Sequence, residues 1–240
     1  MTVFSLHHRD PSTIADPHIV LLPGLDDTAK LFRRFIANAP PDLSFTPVSL
    51  PMEPLRYDEL ANWVARVVPD APIVVIAESF SGPLAVSLAE RRPVAALVFC
   101  NTFVVTPRSS ALQWLASPLL FRLPMPGFLL RRYLLGADAD DTLVRELSDA
   151  VAAVPAAVLA FRLRLVLAVD ATDTLARCVT PALYLRGTED RRVPESASDR
   201  MVSARRMRIV PVAGPHLLLQ ANPLGAWQAI VPFLDSLPTV

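Results

Sequence analysis

Lysine is almost absent from this chain: Lys30 is the only one among 23 Lys and Arg residues. The 23 Asp and Glu residues match them, so the formal net charge is zero. With neither sign in excess, the sequence offers no basic face to nucleic acid and no acidic face to cationic partners. Cysteine is nearly missing too. Cys100 and Cys178 lack metal-ligand spacing, which leaves them to pair or to stay free. Cys100 ends an apolar run, where a free thiol is the usual state.

The chain is 52% hydrophobic, yet it has no long run free of charge and proline. The richest stretch, residues 150–169, is broken by Pro155, Arg162 and Arg164. A membrane-crossing helix needs ~20 mostly apolar residues, so none is expected. Residues 1–16 lack a basic start followed by an apolar core, so no signal peptide is expected and the reduced cytoplasm is the expected compartment. The excess of Arg over Lys, with abundant Ala and Pro, points to a GC-rich bacterial genome. Repeats and low-complexity segments are absent, and the 24 prolines are spread along the turns.

What is present is organised around residues 72–91, PIVVIAESFSGPLAVSLAER. Ile73-Val74-Val75-Ile76 is β-branched with no polar face, as in a strand buried on both sides of a parallel sheet. Leu84, Ala85, Val86, Leu88 and Ala89 have the spacing of a helix with one broad apolar face. Between them lies Ala77-Glu78-Ser79-Phe80-Ser81-Gly82, with small residues two positions either side of Ser79. That size pattern suits a nucleophile elbow, a sharp strand-to-helix turn exposing a serine hydroxyl. The strict G-x-S-x-G form is lacking, because Ala77 and Ser81 stand at the glycine positions. Gly82 is expected to relieve part of the strain. The same residues also fit a plain turn in which Ser79 merely caps the helix.

Further strands are expected at Val3–His7, His18–Leu22, Ser44–Leu50, Val94–Cys100, Pro181–Gly187 and Met207–Val212. Helical patterns follow at Leu31–Ile36, capped by Asp27 or Thr28, at Tyr57–Val68, and from about Pro194. A last helix is expected after Asn222 as N-cap, with Pro223 at its first position. Strand and helix alternation implies an α/β fold, a mostly parallel sheet covered by helices on both faces. The rhythm breaks between residues 105 and 180, where only helical stretches are evident. The expected organisation is therefore a core of residues 1–104 and 181–240, with a helical cap at 105–180.

A serine hydroxyl needs a base to take its proton, and the base needs an acid to orient it. Gly187-Thr188-Glu189-Asp190 follows one late strand and supplies Asp190, with Glu189 as the alternative acid. Gly214-Pro215-His216 follows the last strand and supplies His216. All three candidates lie at carboxyl ends of strands, where open parallel sheets bind ligands. Asp190 also reads as a surface-turn residue or a helix cap, and His216 as a helix-start residue in an apolar setting. His7, His8 and His18 read as structural or exposed. An oxyanion hole needs two N–H donors, expected from Phe80 and from Leu25 in the loop after the His18–Leu22 strand. Asp26 would shape that loop, and pointing inward it would oppose an oxyanion.

Together these residues resemble the α/β-hydrolase fold superfamily over nearly the whole chain. Leu21-Leu22-Pro23-Gly24-Leu25-Asp26 is similar to its oxyanion loop and Ala77–Gly82 to its elbow. The loops ending in Asp190 and His216 are similar to its acid and base loops. The layout is nearest to the small capped carboxylesterases, including the pimeloyl methyl-ester esterase type, although the loop after Val48-Ser49-Leu50 lacks their Pro-Gly-x-Gly signature. The resemblance implies a serine hydrolase acting on small-molecule esters of modest-sized apolar acyl groups, with a Ser79–His216–Asp190 triad and no metal or organic cofactor. Trp114, Leu115, Phe121 and Phe128 are the expected acyl-pocket residues, though each also fits simple packing of the cap. Arg131-Arg132, or Arg162 and Arg164, have the charge to receive an anionic head group but read first as a solvated helix face. Thioester cleavage or acyl transfer by the same triad, and a non-catalytic binding protein on this fold, are the competing readings.

Overall fold

The computed structural model describes residues 17–26, 28–107, 121, 125–205 and 207–238. Six strands form one sheet: β1 His18–Leu22, β2 Ser44–Pro47, β3 Ile73–Glu78, β4 Ala96–Cys100, β5 Ala182–Gly187 and β6 Arg208–Val212. Every pairing is parallel, in the order β2-β1-β3-β4-β5-β6. Helices cover both faces of the sheet, and the central strands β3 and β4 are buried at every position. Residues 3–7 and Asp27 lie outside the described residues. Pro47, which has no N–H, ends β2 three residues earlier than the pattern suggested.

Alternate side chains build two cores. On one face Val20, Leu22, Val75, Ala77, Leu97, Phe99 and Tyr184 meet α2 (Tyr57–Val67), α3 (Gly82–Ala89) and α8 (Glu195–Ala204). On the other, Ile19, Leu21, Val74, Ile76, Val98 and Leu185 meet α1 (Arg33–Ala37), α9 (Leu218–Ala221) and α10 (Pro223–Asp235). There Trp227 stacks on Phe35 at 4.4 Å between ring centres, and its indole N–H donates to the Phe35 carbonyl at 2.8 Å. The chain enters α1 through a tight turn, Ala29–Phe32, and Thr28 makes no side-chain cap there. Asn222 does cap α10, accepting from the Gly225 amide, with Pro223 next in line.

Between β4 and β5 lie α4 (Gly127–Leu130), a π-helical turn Arg131–Leu135, α5 (Asp141–Ala153), α6 (Ala156–Ala168) and α7 (Thr172–Arg177). Among the described residues this segment holds no strand, only an isolated antiparallel bridge between Val105 and Asp170. Its far end joins the sheet's own core, where Leu163, Val166 and Leu175 pack with Leu97 and Tyr184. Among the described residues no single helix is long and apolar enough to cross a membrane. The α5 and α6 helices pass that test only as a pair, and they are bent apart by 96°. Cys100 and Cys178 are both free.

Candidate active site

Strand order decides which loops can meet. Chain reversal puts β3 beside β1, pairing Ala77 with Leu22, so the turn after β3 faces the loop after β1. That is a topological switch point, with its crevice outside the carboxyl ends of the strands. Ser79, directly after β3, stands at φ 49°, in the left-handed region. Such a conformation costs a non-glycine residue ~1–3 kcal/mol and persists only where neighbours hold it. Here the Thr102 hydroxyl donates to the Ser79 carbonyl, and Ser81 Oγ donates to the Pro23 carbonyl at 2.5 Å. Thr102 is itself gripped by the Tyr184 hydroxyl, which accepts from its amide at 3.1 Å and donates to its carbonyl at 2.8 Å.

Gly82 does not relieve strain at the turn, since it sits at φ −56°, an ordinary helical angle. Its need is steric, because a Cβ there would press on Thr102 Oγ1 and lie 2.5 Å from the Phe103 carbonyl. Nor does Ser79 cap the helix. Ser81 occupies the cap position and makes no side-chain cap bond.

The Ser79 hydroxyl instead meets His216, with Oγ 2.8 Å from Nε2. His216 Nδ1 lies 3.0 Å from both Asp190 carboxylate oxygens. Asp190 Oδ1 also accepts the backbone N–H groups of Arg192 at 2.7 Å and Val193 at 3.2 Å. These bonds fix the carboxylate, while Glu189 beside it is exposed. With Nδ1–H donated to Asp190, Nε2 is left as the acceptor for the serine proton. Both side chains are nearly buried, 6% exposed for His216 and 4% for Asp190.

Three strand spacings, roughly 14 Å, separate β3 from β6, so the loop after β6 must reach back over β5 and β4. Asn101, at the end of β4, provides the support. Its Nδ2 donates to the carbonyls of Pro215 at 2.9 Å and His216 at 2.8 Å. Its Oδ1 accepts the Gly187 amide at 2.7 Å. Asn101 also stands in the left-handed region, at φ 43°, which asparagine tolerates better than most residues. Gly187 clears the path, because a Cβ there would lie 2.8 Å from the Pro215 carbonyl and 2.9 Å from that of Gly214. From the helical segment, the Leu134 carbonyl accepts the Leu217 amide at 2.9 Å.

The expected oxyanion residues flank this chain. Phe80 is fully buried, and Leu25 is half-buried in the turn after β1. A Cβ on neighbouring Gly24 would stand 3.7 Å from that of Ser79, so the loop runs directly against the serine. Asp26 is nearly buried, with Oδ1 on the Gly24 side of the loop. Close by, Glu78 is 1% exposed and accepts from Gln220 Nε2 at 2.9 Å. Burial chiefly, partly offset by the Gln220 bond and reinforced by the charge of Asp26, pushes its carboxyl up to about 8. Burial also raises the Cys100 thiol. Among the described residues no His, Cys, Asp or Glu cluster is placed to hold a metal ion.

The expected pocket residues fare unevenly. Trp114 and Leu115 lie outside the described residues. Phe121 is half-buried and packs in the same clusters as Leu25. Phe128 is 67% exposed and does not line a pocket. It precedes buried Leu130 by two helical positions, about 200° around the axis, so the two point to opposite sides. Arg162 also departs from expectation: it is buried, 1% exposed, while Arg164 is exposed. His18 is structural, bonded to Thr46 and Ser44 hydroxyls across the β1–β2 pair. Sequence reasoning missed Asn101, Thr102 and Gln220. A polar pair immediately after the apolar Val94–Cys100 run was a readable signal, since it had to sit on the same edge as Ser79.

A family model described as the alpha/beta hydrolase family matches residues 18–227. No curated protein matches the chain. Among solved structures, a hydrolase from Oleispira antarctica superposes with a TM-score of 0.79 at 12% identity, covering 94% of this chain and 93% of that one. An esterase from a Rhodococcus species gives 0.74 at 17% identity, covering 94% and 93%. An enol-lactonase from Burkholderia xenovorans gives 0.70 at 17% identity, covering 92% of each chain. At these identities the likeness is one of fold.

Proposed function

The chain belongs to the alpha/beta hydrolase family, and from that premise we propose that it is a serine hydrolase cleaving carboxylic esters of modest-sized apolar acyl groups. The observation that carries the reading is the unbroken chain from Ser79 Oγ to His216 Nε2 at 2.8 Å and from His216 Nδ1 to Asp190 at 3.0 Å. In this reading His216 takes the Ser79 proton as Oγ attacks the acyl carbonyl. Asp190 holds the imidazole tautomer and offsets the charge it gains. The Phe80 and Leu25 amides receive the oxyanion, His216 returns the proton to the departing alcohol, and water then releases the acid. Residues 105–180 act as the cap, with Phe121 beside Leu25 on the acyl side. The folds shared with an esterase and an enol-lactonase support the same class.

The test is a kcat/KM series on p-nitrophenyl esters from acetate to dodecanoate, with Ser79→Ala in parallel. A short-to-medium chain optimum is expected, with kcat lost by about 10⁵-fold or more in the variant. Ester turnover surviving in Ser79→Ala would contradict the reading.

A further inference from the structure

Arg162 belongs to α6, yet its guanidinium is buried at the sheet's edge. A buried cation is costly unless its donors are used. Nη2 donates to the Pro51 carbonyl at 2.7 Å, and Nη1 donates to the Leu25 carbonyl at 3.5 Å. The guanidinium carbon stands 5.8 Å from the centre of the Phe80 ring. Tyr57 stacks on that same ring at 4.9 Å and donates its hydroxyl to the Phe80 carbonyl at 3.2 Å. One side chain from the helical segment thus touches both residues whose amides are assigned to the oxyanion.

Peptide planes give these contacts a purpose. The Leu25 N–H shares its plane with the Gly24 carbonyl. The plane before it is pinned where Ser81 Oγ donates to the Pro23 carbonyl, and the plane after it where Arg162 donates to the Leu25 carbonyl. The Phe80 N–H shares its plane with the Ser79 carbonyl, which Thr102 holds, and the next plane is held by Tyr57. Anchors on both sides hold the Cα atoms that flank each of these peptides, so the loop cannot carry its amide away from Ser79. Without Arg162, the Leu25 side loses one of its two anchors.

We infer that Arg162 is a positioning residue for the oxyanion hole, clamping the Leu25 loop and Phe80 so that their two amides converge. This rests on Ser79 being the nucleophile with Leu25 and Phe80 as donors. The clamp acts on the tetrahedral state and not on substrate docking, so its loss should lower kcat and leave KM alone. Because it comes from α6, the donor geometry is complete only when the helical segment is seated on the sheet.

The experiment uses the full chain as wild type, Arg162→Met and Arg162→Lys. Lysine keeps the charge and much of the volume and loses the two-pronged donor, so it remains informative should methionine fail to fold. Fluorophosphonate labelling of the wild type comes first, followed by kcat and KM on a short p-nitrophenyl ester. Affinity for an alkylboronic acid, a mimic of the tetrahedral state, and inhibition by the product carboxylate complete the set. Arg162→Met should lose about tenfold or more in kcat, with KM and carboxylate inhibition within twofold and boronate affinity falling in step with kcat. Arg162→Lys should lose less, in the same pattern. Folded variants with wild-type kcat would overturn the inference while leaving the hydrolase reading intact. So would a rise in KM alone, which would make Arg162 a ground-state anchor for an anionic substrate. A wild type that takes no label overturns the hydrolase reading and this inference with it.

Discussion

At the carboxyl edge of the sheet, each turn is tied to the next by buried hydrogen bonds, whereas the ion pairs that join α5 to α1 lie at the surface. On the edge, Asn101, Thr102 and Ser81 are at most 1% exposed, and their partners are backbone groups of neighbouring loops. The helical segment meets α1 through Arg34 and Asp140, paired at 2.6 and 3.0 Å, and through Arg33 and Glu146 at 3.0 Å. These side chains are 28–69% exposed. Breaking a buried bond strands a polar group at a cost of ~1–3 kcal/mol, while exposed ion pairs are screened and contribute little. The geometry of the proposed site is thus fixed where removal is costly, while the ion pairs between α5 and α1 are ones that solvent screens.

The sharpest way to break this contrast is Asn101→Asp. The acceptor for the Gly187 amide survives, but an oxygen then faces the Pro215 and His216 carbonyls where an amide donated. His216 should shift on its loop, and kcat should fall about 10²-fold. A variant that retains activity would show that the base loop needs no support from β4. Gly82→Ala comes next. Alanine is normally better than glycine in a helix by ~1 kcal/mol, yet here its Cβ meets Thr102 and a backbone carbonyl. Overpacking should win, with a net loss of ~1–3 kcal/mol in urea unfolding. A gain in stability would mean the edge is softer than described.

Glu78→Gln probes a carboxyl on the edge that burial keeps from ionising. Below its ordinary value of 4.5, folded and unfolded chains both hold the proton. Between there and about 8 only the unfolded chain releases it, so wild-type stability falls across that window and stays low above it. Glutamine keeps an acceptor for Gln220 and has no proton to lose. Its Tm advantage over wild type should therefore grow from about pH 5 to about pH 8 and then level off, reaching several degrees. A pH-independent difference would contradict the assignment. The smallest effect belongs to the helical segment. Asp140→Asn keeps a cap for the Leu143 amide at the start of α5 and loses the charge beside Arg34. The Arg34 bond holds the Asp140 carboxyl below its usual range, so the pair stabilises above the unfolded value and fades in acid. Only a small drop in Tm is expected near neutral pH, vanishing in high salt.

Much of the edge was legible because its signals are local. Apolar runs marked the described strands, and the chain order Ser79, Asp190, His216 placed all three after strands. What stayed hidden depends on which strands become neighbours. Asn101 acquires its task only because β4 lies between β3 and the two late strands, and Gly82 only because the exit of β4 crosses α3. Arg162 was misread because α6 is apolar nearly all round, so its pattern names no solvent face. Phe128 was misread because a single turn, Gly127–Leu130, is too short to show which side is buried.

Every step proposed for this site depends on an activated Ser79. Fluorophosphonate labelling followed by intact-mass and peptide analysis, on wild type, Ser79→Ala and His216→Ala, tests it most directly. One adduct on wild type, mapped to Ser79, is expected, and none on either variant over the same exposure. A folded wild type without an adduct, or an adduct that persists in Ser79→Ala, would contradict an activated Ser79.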